Sequence, residues 1–391
     1  DTANTGLQKA VIQAVSGVAS DTMDMFSGNV HYLHAMGVLQ DMSSVDQEFG
    51  YKDADIYGPT RDDIFIDGKH YGFPCNIGLA ALVVNRKAFR QFGMEAPPFR
   101  TDFETFEAIG SDFVSRANAG KKRREFFFFD NIQYETMRRS VGISFFNETL
   151  SGADLNRPEF VRILKLAKRW TEELHLVPSD ADLASMSSEQ GYGGSTFQLF
   201  NNGNYAMIYT GRWAMIQLRQ MNAQYDISAI EYPNGGYPNA LVFSRSVVAY
   251  KGSPNLEIVK QFCAFLRSEE YNLHIIKDSD GNPGEVSYLD REEFLRPVGH
   301  TNEWGLHQGL ARIAKSIAFG REYSPFVLFI NYGRHESRYL QGYRSSIYTA
   351  EETAKLIHDA VNEEISLSLG RNPDLKKSFE AALVKQKRID E

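Results

Sequence analysis

Short apolar runs of strand length alternate with helical patterns along the whole chain, and no internal repeat or low-complexity linker interrupts them. That alternation calls for an α/β fold, with sheets covered by helices. Thr22–Phe26 suits a short strand, and Ser27-Gly28-Asn29 leads into a helical stretch, Val30–Met36, that stops at Gly37. Ile64-Phe65-Ile66, Asp67-Gly68 and His70-Tyr71-Gly72-Phe73 predict a hairpin, because Asp-Gly favours the tight two-residue turn. Leu79–Val84 and Phe126–Phe129 are unbroken apolar runs and predict buried strands. Leu241–Tyr250 predicts a strand broken by the polar triplet Ser244-Arg245-Ser246. The chain has 391 residues, too many for one ordinary core. Without a composition break, it is expected to form two lobes joined by several short crossings.

Helix signals fill the gaps. Thr101–Glu104 has the pattern of a capping box, opening a helix with Phe106, Ile109 and Phe113 on one side. Phe160–Trp170 has apolar residues at helical spacing, and a helix start at Trp213–Leu218 follows the strand-like Tyr205–Tyr209. Ser253-Pro254 is expected to cap a helix whose Ile258, Phe262, Phe265 and Leu266 face inward. Thr349–Glu352 is a second capping box, opening a helix through Ile365.

Composition excludes some function classes. Net charge is −8 and no concentrated basic face is visible, which argues against a nucleic-acid partner. Lys121–Arg124 precedes Phe126–Phe129 and is expected to be a solvated loop before a buried strand. No apolar run reaches the roughly 18 residues needed to span a bilayer. Cys75 and Cys263 lack metal-ligand spacing and are expected to be buried free thiols. His31 and His34 have no acidic neighbour to complete a metal set, and Asp278–Asn282 lacks a full calcium loop, so no metal or cofactor is expected. No nucleophile-elbow, zinc-protease or phosphate-loop signature is present. Aromatic residues reach 13%, a surplus that goes to cores or to sugar- and partner-facing surfaces.

The segment Phe200–Trp213 (FNNGNYAMIYTGRW) resembles the F-x-x-G-x-x-A-M-x-x-x-G-x-W motif of extracellular solute-binding proteins of the maltose-binding type, the receptors of ABC sugar importers. Asp67–Pro74 (DGKHYGFP) running on to Val84-Asn85-Arg86 resembles that family's D-G-K-x-Y-G-x-P…Y-N-K, with Val84 in place of Tyr. Gly93 with Pro97-Pro98 and Thr101–Phe106, then Ser253–Asn255 to Ser268–Glu270, and Asp21 with Gly37–Leu39, match further segments. The matches spread over about nine-tenths of the chain in the family's order, with Phe103 where Trp is usual. The family starts with a strand and a binding loop ahead of its first helix, whereas this sequence opens at that helix, so contacts from the loop are not expected.

The resemblance implies a two-lobed periplasmic-binding-protein fold of type II. Residues 1–79 and 245–319 would form the N-terminal lobe, and 80–244 and 320–391 the C-terminal lobe. It also implies a monomer, periplasmic or extracellular and membrane-anchored, that takes a carbohydrate ligand from the cleft to ABC permease subunits. A pyranose has an apolar C–H face and a rim of hydroxyls, so it needs an aromatic plate and planar polar groups. Trp213, after Gly211, matches the family's stacking Trp, and Arg212 is a candidate for a hydroxyl or sugar carboxylate, or for a surface salt bridge. Ser27, Gly28 and Asn29 offer backbone N–H groups at a helix start. Asn76 and Gly78 follow Pro74 in a hinge-like segment; Gly78 stands where well-known members have an acid, which speaks against maltose itself. Asn131 and Tyr134 are candidates for the second lobe's wall, Ser244 and Arg245 for the second crossing, and Tyr323, Tyr332 and Arg334 for the third. Arg138 and Arg139, with Arg212, Arg245 and Arg334, raise the option of an acidic sugar. A carbohydrate-active enzyme and a sensory module of the same fold are the alternative functions.

Overall fold

The computed structural model describes residues 7–52, 55–186, 194–221, 225–320, 322–327, 329–371, 373 and 375–391. Its strands are β1 (Thr22–Phe26), β2 (Phe65–Ile66), β3 (Lys69–His70), β4 (Gly72–Leu79), β5 (Ala81–Asn85), β6 (Phe127–Phe129), β7 (Tyr205–Thr210), β8 (Ile227–Ile230), β9 (Ala240–Ala249) and β10 (Ala318–Gly320). They form two four-stranded sheets and a hairpin, β2–β3. The hairpin turns at Asp67 and Gly68, both at positive φ (52° and 75°), as the sequence requires for a two-residue turn that follows strand twist.

The second sheet has the order β6-β7-β5-β8. Its central strand β5 is buried on both faces. Leu82 and Val84 enter one core with the Phe106–Phe129 aromatics and Trp170. Ala81 and Val83 enter another that also holds Ile77 and Leu79 of β4, Val242 of β9 and Leu306 and Leu310. This second core therefore runs under the junction of the two sheets. The helix Trp304–Ser316 packs on β8, where the position a Gly309 Cβ would take lies 2.3 Å from the Ala229 carbonyl oxygen.

Two strand expectations are corrected. The apolar run Leu79–Val84 is not one strand: β4 ends at Leu79, β5 begins at Ala81, and the Ala80 N–H donates to the Leu241 carbonyl at 3.2 Å. Apolarity continues because both strands are buried, while the chain changes sheets over one residue. Conversely, β9 runs unbroken through the triplet, because Ser244 and Ser246 turn inward and the Ser246 hydroxyl bonds that of Ser244 at 3.0 Å.

The helix Leu256–Leu266 buries Val259, Cys263, Ala264 and Leu266, whereas Ile258 is 67% exposed and Phe262 and Phe265 are each 41% exposed. Stripes 258-262-265 and 259-263-266 have equal helical period, and packing on β4 and β9 chose the second. Asp102, not Thr101, caps the helix Phe103–Ala117, accepting from the Thr105 N–H at 2.7 Å. The second box forms as expected: the Thr349 N–H reaches the Glu352 carboxylate at 2.8 Å and the Glu352 N–H reaches the Thr349 hydroxyl at 3.1 Å. Cys75 and Cys263 are free, and burial pushes each thiol up to about 12.

Candidate functional site

The site grows from the way β9 shares one of its edges. Along the other edge it pairs with β4 throughout, from Gly72↔Val248 to Leu79↔Val242. On the shared edge, β10 runs parallel to Ala240–Val242 and β1 runs antiparallel to Arg245–Ala249. The ends of β1 and β10 therefore meet beside Phe243 and Ser244, and both chains leave the sheet there. One exits into the helix Ser27–Ala35 and the other towards Tyr323.

Residues directly paired across strands share a face. Phe26, Arg245 and Asn76 lie in one cross-strand row, and Phe243 and Gly78 in the next. The side chains of Phe26, Asn76, Phe243 and Arg245 are half-buried, while Ser244 and Ser246 are fully buried on the opposite face. A β-bulge at Cys75 keeps Asn76 and Gly78 on the row of Arg245 and Phe243.

Three rings converge here, and a fourth, Tyr323, lies over Gly28 in the adjoining helix. Phe26 meets Phe243 edge to face at 5.8 Å between centroids, and Trp213 lies 6.1 Å from Phe243 at a 51° tilt. The Phe243 ring covers Gly78, where a Cβ would fall 2.3 Å from it, and Tyr323 covers Gly28, where a Cβ would fall 2.1 Å from the ring. Only glycine permits these approaches. Gly211 is confined likewise, between the indole of Trp213 and the Leu79 carbonyl oxygen. The polar part of the face is Asn76 with an ion pair, in which the Arg245 Nη2 and Nε reach Asp24 Oδ2 at 2.5 and 3.0 Å.

Among the residues singled out from sequence, the structure brings together Trp213, Gly211, Gly28, Asn76, Gly78, Arg245 and Tyr323. Asn29 is half-buried in the first turn of the adjoining helix, and the Ser27 side chain lies outside the described residues. Arg212 is a correction: its guanidinium is 0% exposed and donates to the carbonyls of Ile275 (3.0 Å), Gly281 (2.9 Å) and Ile276. Ser244 faces the core. Tyr332 is a core residue between Phe145 and Phe146, its hydroxyl donating to the Glu322 carbonyl at 3.0 Å. Arg334 is exposed on the helix Phe329–Arg344.

Asn131 and Tyr134 lie elsewhere, lining a cavity of about 360 Å³ with Asp130, Pro178 and Tyr343. Asp130 accepts from the Tyr209 N–H at 2.8 Å, and burial pushes its carboxyl up to about 7. The same cause raises Tyr134 to about 12. Arg138 and Arg139 both pair with Glu322, at 3.4 and 2.7 Å.

Sequence reasoning missed Phe26, Phe243 and Asp24. The signal was the alternation Phe-Ser-Arg-Ser at 243–246, in which the small polar residues face in and the large ones face out.

Among the described residues there is no cluster of His, Cys, Asp and Glu able to hold a metal, and no helix long and apolar enough to cross a membrane. No curated protein matches the chain. Among solved structures, an ABC substrate-binding protein from Listeria monocytogenes in complex with cycloalternan superposes with a TM-score of 0.76 at 19% identity, over 92% of this chain and 88% of that one. Maltose-bound MalE3 of T. maritima gives 0.71 at 14%, over 92% and 88%. UgpB from Mycobacterium tuberculosis, in complex with glycerophosphocholine, gives 0.70 at 14%, over 93% and 87%. Likeness at these identities establishes the two-lobed type II periplasmic-binding fold. A family model, bacterial extracellular solute-binding protein, matches residues 2–293. The chain belongs to the bacterial extracellular solute-binding proteins.

Proposed function

We propose that this protein captures a neutral mono- or oligosaccharide between its lobes and delivers it to an ABC permease, making and breaking no bond. The convergence of Trp213, Phe243 and Phe26 beside Asn76 and the Asp24–Arg245 pair carries the reading, with Tyr323 over Gly28 in the adjoining helix. Rings supply flat apolar surface for sugar C–H groups, and the amide and ion pair supply hydrogen-bonding groups for hydroxyls. A neutral ligand fits because Arg245, Arg138 and Arg139 are held by carboxylates, and Arg212 by carbonyls. A glycosidase needs two carboxyls facing one bond; Asp24 is committed to Arg245.

The same proposal covers the division of the chain. The first lobe comprises residues 1–79 with the segment from 245, and the second 80–244 with the C-terminal helices. In one departure from the first lobe expected over 245–319, the helix Trp304–Ser316 is counted with the second lobe because it packs on β8. The working form is a monomer, held at the outer face of the membrane in the periplasm or outside the cell.

The test is titration with maltose, maltotetraose, an oligogalacturonate and glycerophosphocholine, followed by calorimetry and tryptophan fluorescence. A neutral saccharide should bind. Trp213→Ala should weaken it by about 2 kcal/mol, roughly thirtyfold, without lowering the melting temperature appreciably. Aromatic walls also hold quaternary ammonium groups, so binding of glycerophosphocholine alone would overturn the sugar reading, as would no binding at all.

A further inference from the structure

Arg212 is the residue immediately before the indole at the site, yet its own side chain runs away from the site into the protein. Nη1 donates to the carbonyls of Ile275 at 3.0 Å and Gly281 at 2.9 Å, Nη2 to that of Ile276, and Nε to His307 Nδ1 at 3.2 Å. Cζ lies 5.0 Å over the Phe294 ring. Ile275 and Ile276 belong to the last turn of the helix Glu269–Asp278; the Ile275 carbonyl also takes the N–H of the C-cap residue Ser279 at 3.0 Å, and the guanidinium uses its second lone pair. A cation there also meets the negative end of the helix dipole. The planar fork gathers three carbonyls at once, which an ammonium cannot do with the same geometry.

The two ends of this contact come from distant segments of the chain that meet over one core, which holds Ile276 together with Ala214 and Met215. Arg212 lies just beyond β7 of the second sheet, in the short turn Arg212–Ala214 that carries Trp213. The helix Glu269–Asp278 follows Leu256–Leu266, which packs on β4 and β9 of the first sheet. We propose that Arg212 is a positioning residue: it ties the turn bearing Trp213 to the helix Glu269–Asp278 and so fixes the indole relative to the Phe243 face. This rests on the reading of that face as the ligand site. Burial of Ala214 and Met215 anchors the end of this turn that follows the ring. The guanidinium anchors the end that precedes it, because a shift of Trp213 along the face must drag Arg212 against three carbonyls. Ligand affinity then depends on a side chain that never touches the ligand, through preorganisation of the plate.

The test uses the whole chain labelled with 5-fluorotryptophan. Its three tryptophans, Trp170, Trp213 and Trp304, give three fluorine lines, assigned by Trp213→Phe. In the ligand-free protein, Arg212→Gln should shift and broaden the Trp213 line while the Trp170 line, from a core indole, stays in place. Arg212→Lys should fall between it and the unaltered protein. With maltotetraose as the probe, Arg212→Gln should weaken binding about tenfold, mainly through faster dissociation. Where Arg212→Gln does not fold, Arg212→Lys and His307→Gln give the same readout, the latter by removing the partner of Nε while leaving the three carbonyl bonds of the guanidinium. An unchanged Trp213 line in a folded Arg212 variant overturns the inference. Failure of maltotetraose to bind the unaltered protein counts against the sugar reading and leaves the fluorine result to decide the role of Arg212.

Discussion

Asp130, in the cavity it shares with Asn131 and Tyr134, carries a carboxyl displaced far upward by burial, and the sign of its effect follows from that. Burial makes the folded protein prefer the protonated acid up to about pH 7, whereas the unfolded chain ionises near the usual aspartate value of 3.8. Its stabilising contribution is therefore complete below about pH 4 and is lost as pH rises towards 7. Urea unfolding between pH 4 and 8 should show a decline of at most about 4 kcal/mol from this residue, absent in Asp130→Asn. A flat difference between the two proteins across that range would refute the assignment. The same scale shows why the site was only half legible. Trp213, Gly211 and Asn76 were singled out because a motif pointed to them, and the structure places them beside the Phe243 face. Phe243 was not, because the neighbouring serines suggested a break in the strand when they were in fact its buried side. Arg212 was misplaced because sequence gives an arginine's position but not the direction of its long stem.

Elements were easier to find than to orient. The Asp67-Gly68 turn and the Thr349 box have fixed backbone chemistry, and both form as the residues dictate. Thr349→Ala removes one half of the reciprocal cap of the helix Ala350–Arg371 and should cost about 1 kcal/mol, read as a lower denaturation midpoint. No loss would mean that packing of Ile357, Val361 and Ile365 alone holds the helix start. The helix Leu256–Leu266 shows the opposite case. Its apolar residues fill two adjacent stripes, so periodicity located the helix correctly and turned it by one residue. Which stripe is buried is decided by the sheet beneath, and that sheet is assembled from segments about 170 residues apart in sequence, β4 and β9. Local pattern does not carry that information.

At the scale of the whole molecule, the alternation of strands and helices was enough to give the class of fold, and the family's ordered motifs gave its two-lobed form. The crossing at Ala80 marks where one continuous apolar run serves two sheets. Small-angle scattering should show the protein contract on adding a saccharide that binds, because closing two lobes shortens the distance between their centres. An unchanged radius of gyration in a saturated sample would argue for a rigid receptor. The divided edge of β9 bears on that motion. Its two ends are laced to different neighbours, and only Phe243 and Ser244 lie in the gap between them. Any twisting of one half against the other gathers at that gap. Phe243 then sits on the axle, nearly still, with the indole of Trp213 pinned beside it.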